Sequence, residues 1–105
     1  MNRPFRNEPE ASTELEEAAL WYEDRRPGIG TEFLEAVDST LERIATWPQA
    51  AARAPGVAPD VPARKAPVGG FPYHVAYLDM PDATRILAFA HDSREPGYWY
   101  SRIKK

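Results

Sequence analysis

The sequence predicts an α+β domain built from a short N-terminal strand, a helical hairpin and a three-stranded antiparallel meander, with the hairpin stacked on one face of the sheet. Three observations carry this. Apolar residues recur at helical spacing from Pro9 to Trp47, they alternate at strand spacing from Ala63 to His91, and an Ala-, Pro- and Gly-rich stretch separates the two textures. A chain of 105 residues fits one domain, expected over residues 1–105 with a single core of modest stability.

The first strand is expected at Pro4 to Arg6. Pro9 then suits the first turn of a helix, where its missing N–H costs nothing, and acids crowd the turns that follow, as the helix dipole prefers. Ala11, Leu15, Ala18 and Tyr22 recur at spacings of three and four and make one apolar face. Arg25 and Arg26 close this helix with positive charge, and Pro27-Gly28 breaks it. A second helix carries Phe33, Val37, Leu41 and Ile44 on one stripe and stops at Pro48. The short connection makes an antiparallel hairpin. From Gln49 to Pro62 no periodicity is sustained, and the segment reads as a surface connection. Three strand-like runs follow: Ala63 to Val68, Tyr73 to Leu78 and Thr84 to His91. Gly69-Gly70 and the stretch from Asp79 to Ala83 separate them as hairpin connections. Along the last run Ile86, Ala88 and Ala90 are expected on one face, with Leu87, Phe89 and His91 on the other.

Composition narrows the function classes. Hydrophobic residues make up 43% and charged residues 28%, an ordinary globular balance. No apolar run approaches the roughly 20 residues of a bilayer span, and no secretory leader is expected, since Met1 to Arg6 shows neither the apolar stretch nor the small-residue cleavage site of one. No cysteine is present, which fits a cytoplasmic protein and leaves out disulfides and thiolate metal sites. His74 and His91 are too few to suggest a metal centre, and no motif asks for a cofactor. The net charge of −3 hides an asymmetry. Residues 1–48 hold eleven acids against five arginines, whereas residues 49–105 hold eight basic residues against five acids. An anionic partner is therefore expected at the C-terminal part.

Three phrases carry a family resemblance. The first runs from Glu17 to Glu23 (EAALWYE), followed by Arg26-Pro27-Gly28-Ile29-Gly30 and Glu32-Phe33-Leu34. The second is Phe71-Pro72-Tyr73-His74-Val75-Ala76-Tyr77, and the third is Ile86 to His91 (ILAFAH) with Arg94, Pro96, Gly97, Tyr98, Trp99 and Arg102. In this order and spacing they resemble the RelE/ParE superfamily of toxins from type II toxin–antitoxin modules, especially the ParE-like branch often labelled plasmid stabilisation proteins. The resemblance spans the chain except around Gln49 to Pro62. It implies the same α+β fold, a cytoplasmic protein that arrests growth, and a cognate antitoxin that neutralises it in a hetero-oligomer by folding around it.

The resemblance also divides the chemistry. ParE-like members poison DNA gyrase and are not enzymes, whereas RelE-like members cleave messenger RNA on the ribosome. Metal-free RNA cleavage needs a base for the 2′-hydroxyl, cations for the crowded phosphate and an acid for the leaving oxygen. Carried over position by position, the nuclease set falls on Lys65, His74, Arg94 and Tyr100. Pro67, however, stands where a second strand lysine is usual, and Gly69 and Gly70 supply no cation before the Phe-Pro-Tyr phrase. So thinned a set favours gyrase inhibition, with a target-binding surface of Arg64, Lys65, Arg94, Trp99 and Arg102. The alternatives are the endoribonuclease acting on ribosome and message, and an inert relative that keeps only antitoxin binding. Each residue also has a structural explanation. His91 suits a hydrogen-bonded place at a strand end. Tyr98, Trp99 and Tyr100 suit a terminus packed on the core, and Arg94 and Arg102 suit ion pairs to the acidic helices.

Overall fold

The computed structural model describes residues 4–104. Met1 to Arg3, at the start read as lacking a leader, and Lys105, counted among the C-terminal cations, lie outside them. Strand β1 (Phe5–Asn7) leads into helix α1 (Pro9–Arg25), and α2 (Ile29–Thr46) completes the hairpin. Pro9 occupies the first turn of α1. The carbonyl of Glu8 accepts from Ala11 N–H at 2.9 Å. Between the helices Gly28 adopts φ 94°, which an L side chain resists. The Glu23 carboxylate then accepts the N–H groups of Gly28 at 2.9 Å and Gly30 at 3.0 Å. A side chain of α1 thus satisfies amides at the start of α2, where acid is also favoured by the dipole.

Four further strands follow: β2 (Ala52–Arg53), β3 (Ala63–Pro67), β4 (Tyr73–Asp79) and β5 (Thr84–His91). The sheet order is β1-β5-β4-β3-β2, with β1 parallel to β5 and the other pairs antiparallel. The expected meander is β3-β4-β5, and the expected first strand sits one residue later than read. Strand β2 lies in the segment read as a plain connection. Its two residues carry no pattern of their own; pairing Ala52 with Lys65 and Arg53 with Arg64 makes them a strand. Side chains fasten this edge, since Arg64 Nη1 donates to the Ala51 carbonyl at 2.6 Å and Arg53 Nη2 to the Pro59 carbonyl at 2.9 Å.

The face assignment of β5 differs from simple alternation. Ala76 pairs with Ala88 but Tyr77 pairs with Ile86, so Leu87 is an extra residue, a bulge. One extra residue shifts the pleat by half a period. Ile86 and Phe89 therefore join the helix-side core with Val75 and Tyr77, while Leu87, Ala88 and Ala90 all face the other way.

The helix-side core takes Phe33, Val37 and Ile44 from α2 and Ala11 and Ala18 from α1, with Leu15, Tyr22 and Leu41 packed at its margin. Tyr22, Phe33, Phe71 and Tyr73 form an aromatic cluster with centroids 5.1 to 6.1 Å apart, the Tyr22–Phe33 pair tilted and the others edge-to-face. Instead of one core there are two. The second lies on the opposite face, where Ala76, Ala88 and Ala90 leave room for Trp99, with Tyr98, Tyr100 and Ile103 beside it. The segment after β5, ending in a 3-10 turn at Tyr100–Lys104, covers this face. Among the described residues, no helix is long and apolar enough to cross a membrane.

Candidate functional site

Glu14 lies on the same helical stripe as Ala11 and Ala18, which carries its carboxylate inward over the end of β5. There it accepts Phe89 N–H at 3.1 Å and the Tyr98 hydroxyl at 2.7 Å. Arg102 meets it through both terminal nitrogens, at 3.0 and 3.1 Å, and also donates to the Leu87 carbonyl at 2.9 Å. Arg94 approaches the same carboxylate at 3.7 Å, and its guanidinium carbon lies over the Tyr98 ring, 3.6 Å from the centroid. One acid on α1 therefore holds Arg94, Tyr98 and Arg102 of the segment after β5. Burial pushes the Tyr98 phenol far above its ordinary range, the hydrogen bond and charge of Glu14 push the same way, and Arg94 and Arg102 oppose them. Tyr98 is thus a fixed neutral donor.

Beside this cluster lies a cleft of about 60 Å³ whose lining includes Lys65, His74, Arg94 and Tyr100. The fold has brought the four residues of the nuclease expectation to one place. Their individual settings are less suited to that chemistry. His74 Nδ1 sits 2.9 Å from Asp92 Oδ1, and the Tyr100 hydroxyl donates to the Pro55 carbonyl. Asp92 and Glu95 line the cleft as well and offset Lys65 and Arg94.

The target-binding expectation is spread over different environments. Arg94 is exposed over more than half of its side chain and Lys65 is half-buried at the cleft. Arg64 is turned into the β2 edge. Trp99 is 3% exposed and belongs to the second core, and Arg102 is spent on Glu14. Trp99 faces inward because the alanine-rich sheet face needs covering, and Arg102 because the Glu14 carboxylate takes both its terminal nitrogens. His91 Nδ1 accepts the Ser93 N–H at 3.0 Å, which marks it as the unprotonated nitrogen, and its ring meets Tyr73 at 5.0 Å. Among the described residues no three His, Asp or Glu side chains gather as a metal-ligand set.

A second depression, about 660 Å³, runs between α1 and the adjoining ends of β4 and β5. Its lining joins Glu17, Ala18, Trp21 and Tyr22 of α1 to Tyr73, Phe89 and Arg94. Sequence reading missed it, along with Glu14. An acid on the apolar stripe of α1 was the available signal for Glu14.

No family model and no curated protein matches the sequence. Among solved structures, a chain described as "Chromosomal ParDE TA system from P. aeruginosa" superposes with a TM-score of 0.70 at 12% identity, covering 85% of this chain and 95% of that one. The two chains share a fold. The ParDE likeness matches the RelE/ParE-like architecture that the three sequence phrases resemble. At 12% identity it concerns backbone topology: the hairpin over a mixed sheet with a short first strand.

Proposed function

We propose that this chain is the toxin of a type II toxin–antitoxin pair, neutralised by a cognate antitoxin in a hetero-oligomer and arresting growth by poisoning DNA gyrase in the cytoplasm. The observation that carries the reading is the fold likeness to a ParDE chain over 95% of that chain's length. The preference for a protein target over RNA rests on the small cleft beside Arg94. Its cations are offset by Asp92 and Glu95, and Pro67 stands where a second strand cation would be. An oxyanion is poorly stabilised where opposite charges already cancel.

One observation favours a second reading. Lys65, His74, Arg94 and Tyr100 line a single cleft, which is the arrangement a ribosome-dependent endoribonuclease would need. The test pairs the two. Induced expression of the chain arrests bacterial growth and co-expression of the adjacent open reading frame restores it. The purified chain then inhibits gyrase supercoiling and accumulates cleavage complexes. Codon-positioned cleavage of ribosome-bound message, with gyrase unaffected, replaces the first reading by the second. Normal growth at confirmed expression of folded chain rejects both and leaves an inert relative.

A further inference from the structure

We propose that a groove at the C-terminal end of α2 is a contact for the protein target, and that it takes a bulky apolar side chain lying next to a carboxylate on the target surface. The proposal rests on the gyrase reading and adds to Arg94 a second surface with its own chemistry. The groove, about 220 Å³, is lined by Trp47, Ala51, Ala66, Pro67 and Tyr77 among others, with Arg43 as the charged residue of the lining. Trp47 is 63% exposed. Three hydrogen bonds pin the turn that carries it. Trp47 N–H donates to the Arg43 carbonyl at 2.8 Å, its own carbonyl accepts Ala50 N–H at 3.1 Å, and the fully buried Tyr77 donates its hydroxyl to the Pro48 carbonyl at 2.7 Å. An exposed aromatic on so fixed a backbone costs little ordering when a partner covers it.

Charge identifies the occupant. Arg53 stands opposite Arg64 across β2 and β3, and Arg64 stands opposite Tyr77 across β3 and β4. Both arginines therefore share the sheet face that gives Ala66 and Tyr77 to the groove. Like charges directly opposite on a sheet are unfavourable. Arg43, Arg53 and Arg64 all donate to backbone carbonyls, Arg43 to the Thr40 hydroxyl as well, and none meets a carboxylate among the described residues. Cations beside an apolar groove and unmatched by acid are complementary to an acidic partner. That partner is held by side chains, because no strand can add here. Past the last β2 rung, at Lys65, the next outward-facing residue of β3 is Pro67, which lacks an N–H. Its carbonyl already accepts Thr40 Oγ1 at 3.1 Å and Arg43 Nη2 at 3.2 Å. A nucleic acid is disfavoured, since it asks for a continuous cationic track and the flank of α2 toward Phe5 carries Asp38 and Glu42. A second copy docked groove to groove would oppose like charges, since a two-fold interface joins the same patch to itself.

The experiment titrates the purified full chain against DNA gyrase and reads the concentration that halves supercoiling. Trp47→Ala and Arg43→Met are each expected to raise it by about tenfold, and Arg43→Lys, which keeps the charge, by less than about threefold. Leu34→Ala removes another exposed apolar side chain of α2, and Arg26→Met removes another exposed cation. These two are expected to leave it within about twofold. Melting curves first show each variant folded, and Trp47→Ala, a surface change, carries the test if Arg43→Met does not fold. Undiminished inhibition by both groove variants overturns the contact and leaves the gyrase reading standing. Equal weakening by Leu34→Ala and Trp47→Ala, or by Arg26→Met and Arg43→Met, also overturns it, in favour of diffuse surface attraction. A self-association of the chain alone that Trp47→Ala abolishes replaces the target by a second copy, and message cleavage that Trp47→Ala abolishes replaces it by RNA. A wild-type chain that leaves gyrase unaffected ends the gyrase reading and the contact together.

Discussion

Arg102 grips Glu14 with two near-parallel hydrogen bonds of 3.0 and 3.1 Å, joining the C-terminal turn to the first helix across 88 positions of sequence. Both side chains are largely out of water, 13% and 14% exposed. Removing one partner of such a pair leaves the other charge without its match, which is costlier than never having had the pair. Arg102→Met keeps the apolar stem and deletes the charge. It is expected to lower unfolding free energy by about 3 kcal/mol, less than for a fully buried pair because Tyr98 and Phe89 N–H still hold Glu14. Urea denaturation measures this. A loss under about 1 kcal/mol would show that the segment after β5 is held by its other attachments, Trp99 packing, the Tyr98 hydroxyl on Glu14 and Arg85 on the Arg102 and Ile103 carbonyls.

Phe33 tests the helix-side core. It is 0% exposed and touches Tyr22, Phe71 and Tyr73 at centroid distances of 5.1 to 5.2 Å. Phe33→Ala is expected to cost about 3–5 kcal/mol through lost burial and the cavity left behind. The same denaturation experiment reads it. A cost below about 1 kcal/mol would mean that another face of α2 meets the sheet.

Much of the fold was legible in the residues, and the exceptions have physical causes. Helix limits followed from Pro9, Pro27-Gly28 and Pro48, and the three long strands from alternation, because both signals are local. Strand β2 escaped because Ala52 and Arg53 become a strand only by pairing with β3. The bulge at Leu87 escaped because a two-residue periodicity carries no mark of where it slips, so Phe89 was assigned to the wrong face. The site is less legible. Lys65, His74, Arg94 and Tyr100 do converge on one cleft, but of the two roles the sequence allows Trp99 and Arg102, target contact or structural packing, the fold takes the second: Trp99 packs on the alanine-rich sheet face and Arg102 pairs with Glu14. Arg102's partner Glu14 lies 88 positions away in sequence, and no local pattern joins the two.

The hairpin crossing depends on Gly30. A Cβ built there would lie 2.7 Å from the Ala19 carbonyl oxygen and 3.0 Å from Glu23 Cβ, so backbone must move to admit it. Gly30→Ala is expected to destabilise by about 1–3 kcal/mol despite the better helix propensity of alanine. Gly69→Ala is the control, since nothing lies within 4 Å of its Cβ position. It is expected to be neutral or mildly stabilising. A neutral Gly30→Ala in thermal melts would mean that α1 and α2 have room to separate.

Tyr98 makes stability fall in alkaline solution. Its folded phenol holds the proton above the ordinary value of about 10, for burial and Glu14 reasons. The folded state therefore binds more protons than the unfolded chain once pH passes that value. The stabilisation is complete below about pH 10 and is lost as pH rises beyond it. Tyr22 and Tyr73 are raised as well, chiefly by burial, and add to the slope. Urea midpoints from about pH 8 to about pH 11 should decline, and Tyr98→Phe should flatten the decline while costing about 1 kcal/mol at neutral pH. An unchanged slope in that variant would place the alkaline loss elsewhere.

Arg94 and Tyr100 separate the two mechanisms. Both line the small cleft, yet Arg94 offers an exposed guanidinium braced on Tyr98, whereas the Tyr100 hydroxyl is engaged by the Pro55 carbonyl. For a gyrase poison the arginine is a contact and the phenol is a piece of packing. Arg94→Ala is then expected to weaken gyrase inhibition by an interfacial charged contact, about 1–3 kcal/mol in binding. Tyr100→Phe should keep full growth arrest once folding is confirmed, because it deletes one hydroxyl and little volume. For a nuclease the outcome reverses. An arginine facing the phosphate and a phenol near the sugar are both needed, so either change should abolish arrest. The two variants are assayed side by side, with gyrase cleavage complexes in one reaction and ribosome-bound message in the other. Message cleavage that vanishes with the Tyr100 hydroxyl would assign the cleft to RNA chemistry and end the gyrase reading.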